Sequence, residues 1–203
     1  MPRPRSLDPA RIAAAALAVI DRAGLPALSM HAVAKELGMS TMALYRYVDS
    51  REELEGLVVE LVLSTVEVEP PSGLPWRGQL TTLVERVRDA VAAHPQVVPL
   101  TLTHRHRSPS VLRWSEAVLR VLTGAGVQGV DRVVALRGLL AYVIGAIQLE
   151  HLGPLSGPGT VAIAGLPRAE FPHMAETARL AGSVSPGEEF RRGLDLLLRG
   201  LDG

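Results

Sequence analysis

Six histidines and 21 carboxylates carry whatever metal or acid–base chemistry this 203-residue chain holds, because it contains no cysteine. The missing thiols remove disulfide frameworks, thiolate zinc sites, iron–sulfur clusters and cysteine nucleophiles, and fit a reducing compartment. His104-Arg105-His106 places two histidines two apart, the wrong spacing for one helix face though not for an extended chain. Glu150-His151 and His173 have no partner at ligand spacing in the sequence. There is no nucleophile motif, phosphate-cradling loop, paired carboxylates or cofactor fingerprint. The expectation is no catalytic residue, no metal and no cofactor. An all-α enzyme built on His104, His151 or Glu150 stands as an alternative without a motif behind it.

The surrounding composition is that of an ordinary globular chain, 47% hydrophobic and 21% charged. Two Trp, three Tyr and two Phe leave an aliphatic core, so any aromatic near a cavity is informative. Lysine plus arginine equals aspartate plus glutamate, giving net charge +0. The charge is unevenly divided, however. Residues 1–48 hold Arg3, Arg5, Arg11, Arg22, Lys35 and Arg46 against Asp8, Asp21 and Glu36, so that end is positive and the remainder negative. No apolar run approaching the ~18 residues that span a bilayer is expected. Arg3, Arg5 and the run Ile12–Ile20 imitate a secretory leader, but Asp8-Pro9 interrupts it and Asp21-Arg22 follows with no small-x-small cleavage site. A cytoplasmic protein without a membrane partner is expected.

Helix signals recur and strand signals are nearly absent, so the expected fold is all-α. Asp8-Pro9 opens a first helix with Ile12, Ala15, Ala16, Val19, Ile20 and Ala23 on one face, closed by Gly24. Ser29 caps a second through Leu37, ended by Gly38. Ser40 caps a third, Ser40–Val48, with Met39 and Leu44 placed as a hydrophobic staple. Ser50-Arg51-Glu52-Glu53 is a capping box opening a helix over 50–66. Glu67–Pro75 breaks the chain with two adjacent prolines. Beyond it come a helix carrying Leu80, Leu83, Val84, Val87 and Val91, one from Ser108-Pro109 to Thr123, and Val130–His151, apolar on almost every side as a helix buried from several directions would be. Leu152–Pro167 reads as a Gly/Pro-rich loop, Pro172–Ala181 as a short helix, and Ser185-Pro186-Gly187-Glu188 as a capping box for the last. The expected organisation is 1–49, a linking helix over 50–66, and a helical domain over 76–203.

Two short helices flanking Gly38 have the proportions of a helix-turn-helix, at the end where the positive charge lies. The run Gly38-Met39-Ser40-Thr41-Met42-Ala43-Leu44-Tyr45-Arg46-Tyr47-Val48-Asp49-Ser50-Arg51-Glu52-Glu53-Leu54 closely resembles the TetR family of one-component transcriptional regulators. Asp21-Arg22-Ala23-Gly24, Leu28-Ser29 and Val33-Ala34-Lys35-Glu36-Leu37-Gly38 extend the resemblance over about a quarter of the chain. It implies that Thr41, Met42 and Ala43 face bases, and that Ser40, Tyr45, Arg46 and Tyr47 reach backbone or adjacent bases. It also implies that Ser29, Met30 and His31 approach from the preceding helix. Arg51 takes a lysine position of the family at a helix N-terminus, facing a phosphate. Arg3 and Arg5 would form an arm for the minor groove.

One helix-turn-helix buries too little surface to select a genomic site, so such heads act in pairs. Gly138, Ala141 and Gly145 form a narrow face on the long helix, and Gly193 and Gly200 repeat the spacing beside Leu194, Leu197 and Leu201. Two helices from each subunit would make an isologous four-helix interface. More faintly, Trp76, Ala135-Leu136, Gly145 and Phe190-x-x-Gly193-Leu194-x-Leu196 resemble the tetracycline-repressor branch. Leu83, Thr101, Val118 and Ala141 stand where its metal-chelating members have Asn, His, Gln and His, which argues against a magnesium–tetracycline ligand. The resemblance thus implies an apolar effector site lined by Leu83, Val87, Thr101, Trp114, Val118 and Tyr142, with His104, Arg105, Gln148 and His151 as polar contacts. The functional expectation is a homodimeric repressor of a palindromic double-stranded DNA operator, released by a small apolar effector. An effector-independent architectural DNA binder is the alternative that keeps the head and omits the pocket.

Overall fold

A computed structural model describes residues 7–201, so the arm arginines Arg3 and Arg5 lie outside the described residues. Every regular element among the described residues is helical. The chain folds into two compact units: residues 1–69 with 89–117, and residues 70–88 with 118–203.

The first unit begins with α1 (Pro9–Ala23). Asp8 Oδ1 accepts the Arg11 N–H at 2.7 Å, which supplies one of the partners a helix start lacks. α2 (Met30–Glu36) and α3 (Thr41–Leu44) follow, each capped by a serine: Ser29 Oγ accepts from Ala32 N–H and Ser40 Oγ from Ala43 N–H. Between them Gly38 sits at φ 70°, the left-handed conformation that turns the chain at the end of α2. α3 is shorter than the expected Ser40–Val48, because from Arg46 the backbone tightens to i→i−3 bonds, Arg46 N–H to Ala43 C=O and Tyr47 N–H to Leu44 C=O. α4 (Arg51–Leu63) starts with the expected capping box, displaced by one residue: Ser50 Oγ accepts from Glu53 N–H, and Glu53 Oε2 accepts from Asp49 N–H at 2.7 Å. Ile12, Ala16, Ile20, Leu28, Val33, Leu44, Val48 and Leu54 are buried and form the core of this end. Burying each of the larger side chains stabilises the fold by about 1.5–3 kcal/mol.

The same unit holds the end of α5 (Trp76–Ala92), a 3-10 turn at Pro95–Val97, α6 (Val98–Thr103) and the start of α7 (Pro109–Gly124). Polar ties join this segment to α1 and α4. His94 Nδ1 lies 2.9 Å from Asp21 Oδ2, and His104 Nε2 lies 2.9 Å from Glu55 Oε2. Glu60 accepts three hydrogen bonds, from Ser108 Oγ (2.6 Å), Ser110 Oγ (2.7 Å) and Ser110 N–H (3.1 Å). Burial by itself would raise the Glu60 carboxyl, but those three bonds and Arg113 outweigh it and hold the group below its ordinary value. A carboxyl lowered on folding stabilises above its unfolded pKa and loses that contribution as pH falls through the folded one. Glu60→Gln is therefore expected to cost about 1–2 kcal/mol at neutral pH, discounted because the side chain is 32% exposed. Urea unfolding of both proteins across pH should show the gap closing below about pH 4.

The second unit contains the first part of α5, the end of α7, α8 (Gly129–Leu152), α9 (Pro158–Ala164), α10 (Pro172–Ala181) and α11 (Pro186–Arg199). The expected loop over 152–167 contains α9, which Pro158 starts and Gly165 ends. α9 packs on α10 and α8 packs on α11. Phe190, Leu194 and Leu198 of α11 are buried, as are Ala135, Leu139, Val143 and Ile147 of α8. Tyr142 donates from its hydroxyl to the Phe190 carbonyl at 2.7 Å, and burial together with Glu189 raises its phenol above the ordinary value.

Gly193 lets that tyrosine in. A Cβ there would meet the hydroxyl and come within 3.1 Å of the ring carbons Cε2 and Cζ. Gly193→Ala should destabilise the protein by about 1–3 kcal/mol in thermal unfolding, less whatever better helix propensity returns, because Tyr142 must swing off Phe190.

α8 departs from the expectation of a helix covered on all sides. Val130, Val133, Val134, Ala141, Leu149 and Leu152 are exposed. By length and composition alone the helix is long and apolar enough to cross a membrane, with a mean hydropathy of 1.6 in its most apolar window. The reading of uninterrupted runs missed this because Arg137 divides the helix.

Candidate functional site

The reading end is built as a buried scaffold with an exposed rim. Leu44 and Val48 are fully buried, which fixes the intervening residues outward. Met42 is 77% exposed, Tyr45 and Tyr47 are each 45% exposed, and Arg46 is exposed. Thr41 and Ala43 are half-buried at the start of α3. His31 is exposed on α2 with its Nδ1 3.4 Å from Thr41 Oγ1, so the second helix does bring a polar group to the start of the third. Ser29 and Ser40 are exposed but their hydroxyls already serve as caps, leaving lone pairs and the hydroxyl proton for anything docked outside.

One expectation is corrected here. Met30 is 8% exposed and belongs to the core. Its position at the first residue of α2 turns it inward, where an apolar side chain gains more than at a polar surface. Arg51, expected to meet a phosphate, keeps a side chain 47% exposed at the start of α4 and is also tied within the chain. Its Nε donates to Glu55 Oε1 at 2.9 Å and its terminal nitrogen to the Leu25 carbonyl at 3.3 Å. Arg22 is likewise paired, with Glu36 at 2.7 Å, so both charges are partly neutralised before any DNA arrives.

The residues expected to line an effector site are scattered over both units. In the first unit Trp114 and His104 are buried, Thr101 is half-buried with its hydroxyl donated to the Val98 carbonyl, and Arg105 is exposed. In the second, Leu83 and Val118 are fully buried, Val87, Tyr142 and Gln148 are half-buried, and His151 is exposed. Arg105 and His151 sit in solvent, as expected of charged or polar residues at the ends of helices with no partner to bury against. His104 is the most deeply buried polar residue of the set, and the sequence gives no sign of its partner Glu55.

A surface groove of about 220 Å³ opens in the second unit between α8 and α11. Arg88, Tyr142, Glu150, Glu189 and Phe190 supply its polar and aromatic edge, and Ala141, Gly145 and Leu149 its apolar floor. Arg88 donates to Glu150 at 2.7 Å and lies over the Phe190 ring at 4.7 Å. The expected interface residues divide accordingly. Ala141 is exposed, and Gly138, Gly145, Leu197 and Leu201 are half-buried. Leu194 is fully buried within its own unit, and Gly193 receives Tyr142, so neither is free to meet a second copy. Among the described residues no three histidine or carboxylate groups come together as a metal site.

Comparison with known proteins follows this geometry. Residues 12–55 match the family model described as bacterial regulatory proteins, tetR family, and residues 69–203 match the tetracyclin repressor-like C-terminal domain. The HTH-type transcriptional repressor DrrR1 of Streptomyces coeruleorubidus is 32% identical over 147 residues, 69% of this chain and 52% of the repressor. The chain spans 52% and 60% of the lengths of two curated regulators that it matches. ActR of Streptomyces coelicolor, solved in complex with actinorhodin, superposes with a TM-score of 0.81 at 26% identity, covering 98% of this chain and 96% of that one. BioQ, solved with its double-stranded DNA operator, gives 0.71 at 25% identity, covering 97% of this chain and 98% of that one; BioQ is from Mycobacterium smegmatis. The two family models cover most of the sequence, one over the helix-turn-helix and the other over the helical remainder, and the chain belongs to the TetR family of transcriptional regulators.

Proposed function

We propose that this chain is an effector-responsive DNA-binding repressor that works as a homodimer in the cytoplasm. The observation that carries this is the outward rim of α3 and the turn after it, Met42, Tyr45, Arg46 and Tyr47, standing on a buried core. Met42 is far too exposed to serve the core of the head, and each tyrosine leaves nearly half of its surface in water. Against a duplex these surfaces meet thymine methyls, sugars and phosphates. Thr41, Ala43, His31, Ser29 and Ser40 complete the reading surface, with Arg3 and Arg5 reaching the minor groove. BioQ with its operator supports this placement of the head on DNA.

The pairing surface is the exposed side of α8. Val130, Val134, Ala141, Gly145 and Leu149 recur at helical spacing along one stripe, with the groove beside α11 at its end. A second copy packed there would cover apolar residues that the chain itself leaves open. The same cover removes any need for a bilayer around α8. ActR, solved in complex with actinorhodin and with (S)-DNPA, supports a small-molecule effector, and we assign its site to the helical region 76–203. α4 then links the effector side to the head as the helix that follows the reading surface directly.

The deciding experiment is selection of a duplex from a random-sequence pool with the full-length protein, followed by fluorescence anisotropy over a salt series. A dimer making about 6–10 phosphate contacts should lose about 10³–10⁵-fold in affinity between about 50 and 200 mM salt. Enrichment of no duplex, or affinity indifferent to salt, would end the reading. A selected duplex that no small molecule ever releases would favour the architectural alternative.

A further inference from the structure

We propose that His104 registers a hydrogen-bond donor of the effector and passes that event to the reading head through Glu55 and Arg51, an inference that rests on the effector-responsive reading above. His104 caps the end of α6, and its side chain is 8% exposed. Its Nε2 lies 2.9 Å from Glu55 Oε2. A carboxylate offers only acceptors, so Nε2 carries the proton and donates. The other oxygen of Glu55 accepts from Arg51 Nε at 2.9 Å, and Arg51 reaches the Leu25 carbonyl between α1 and α2. An unbroken polar chain thus runs from α6, across α4, to the backbone turn that supports the helix-turn-helix.

The far end of that chain is open. His104 Nδ1 is buried and has no hydrogen-bond partner among the described residues. With Nε2 donating to Glu55, the neutral ring presents Nδ1 as an acceptor. The neighbouring Arg105, His106 and Arg107 are exposed, and Arg107 is directed to Glu52 at 3.8 Å. No protein donor is therefore supplied to Nδ1, and a buried acceptor is costly to leave unmet. The group that would pair with this acceptor is an O–H donor, an alcohol or phenol carried on an otherwise apolar small molecule. A donor at Nδ1 polarises the ring and strengthens the Nε2–H bond to Glu55. Glu55 is then drawn toward α6 and its hold on Arg51 weakens. Arg51 is the first residue of α4, so the strain falls where the head joins that helix.

Nitrogen NMR of the full-length protein labelled at histidine and arginine tests this, with phenol as the donor probe and toluene as its partner of similar shape lacking the O–H. Phenol should move the His104 Nδ1 resonance saturably and the Arg51 Nε resonance with the same midpoint, while toluene moves neither. Glu55→Ala should keep the Nδ1 response and lose the Arg51 response. With the selected duplex bound, phenol should weaken binding about fivefold or more in the wild type, the lower end of ordinary coupling, and less than about twofold in His104→Gln. The proposal is overturned if Nδ1 is already hydrogen-bonded in the ligand-free protein and ignores phenol, if toluene acts equally, or if Arg51 responds as strongly without Glu55. Failure of the DNA reading is separate, since it shows as no selected duplex while the resonances still move together.

Discussion

Arg46→Ala and Tyr47→Ala are each expected to abolish operator binding at concentrations where the wild type is saturated, with the dimer intact. Both side chains are exposed at the end of the reading turn, Tyr47 to 45%. The folding cost of Arg46→Ala is that of a surface substitution, within about 0.5 kcal/mol, and Tyr47→Ala, which gives up the covered part of its ring, costs about 1 kcal/mol. The binding cost is larger for a symmetric reason. A base or phosphate contact of about 1–3 kcal/mol is lost twice in a dimer, about 2–6 kcal/mol in all, or roughly 30-fold to more than 10⁴-fold in affinity. Anisotropy with the selected duplex measures the loss, and sedimentation of the same samples shows whether the dimer survives. If both variants bind the duplex as the wild type does, the residues between Leu44 and Val48 are not the reading surface. Unequal losses would separate the roles: a phosphate contact weakens all sequences alike and lowers the salt slope, whereas a base contact relaxes selectivity at one position.

Local chemistry was legible in the sequence wherever one short stretch decides it. Asp8-Pro9, Ser29, Ser40, Ser50 and Ser185 each cap the helix expected of them, because a cap needs only a side-chain oxygen within three residues of its partner. Burial of Leu44 was legible as well, whereas the outward placing of Met42, Tyr45, Arg46 and Tyr47 came from the family resemblance and not from local chemistry. What was not legible lies at long range. Glu55 and His104 are 49 residues apart, and Glu60 meets Ser108 and Ser110 at 48 and 50, so no window of sequence contains both partners. The bonds of Arg51 to Glu55 and to the Leu25 carbonyl were not read from the sequence either. Met30 looked like part of the reading surface because resemblance carries positions over without their burial. α9 was hidden in a stretch rich in Gly and Pro, where Pro158 in fact begins a helix rather than breaking one.

α8 shows a different limit. A helix apolar on all sides says that something covers it, and periodicity cannot say whether the cover is the same chain or another. Ala135, Leu139, Val143 and Ile147 are covered by the chain's own second unit, and Val130, Val134, Ala141 and Leu149 are not. On the proposed pairing the division matters for function, since a second copy seated on that open stripe would set how far apart the two reading heads stand. Glycine at 145 has no atom within 4 Å of where a side chain would begin, so the middle of the stripe is flat enough for another helix to approach closely.

Ala141→Glu is the substitution that uses this most directly. The residue is exposed in the single chain, so a glutamate there meets water in a monomer and leaves the helical unit folded, with its circular dichroism unchanged. In a two-fold dimer the same substitution places two like charges in one apolar seam, each short of solvent, and Arg137 and Arg88 of the same chain offset only part of that cost. Burial of charge compensated only in part costs several kcal/mol, so the dimer constant should weaken by at least about 10³-fold, roughly 4 kcal/mol. Sedimentation equilibrium should then find monomers at concentrations where the wild type is paired. Operator affinity should fall in step toward the non-specific range of about 10⁻⁴–10⁻⁶ M, although no residue of the reading surface has changed. Ala141→Ser, small and neutral, should leave both properties nearly as they were. A glutamate variant that stays dimeric would place the interface elsewhere, and a monomer that still binds the selected duplex at full strength would show that pairing is not what delivers specificity.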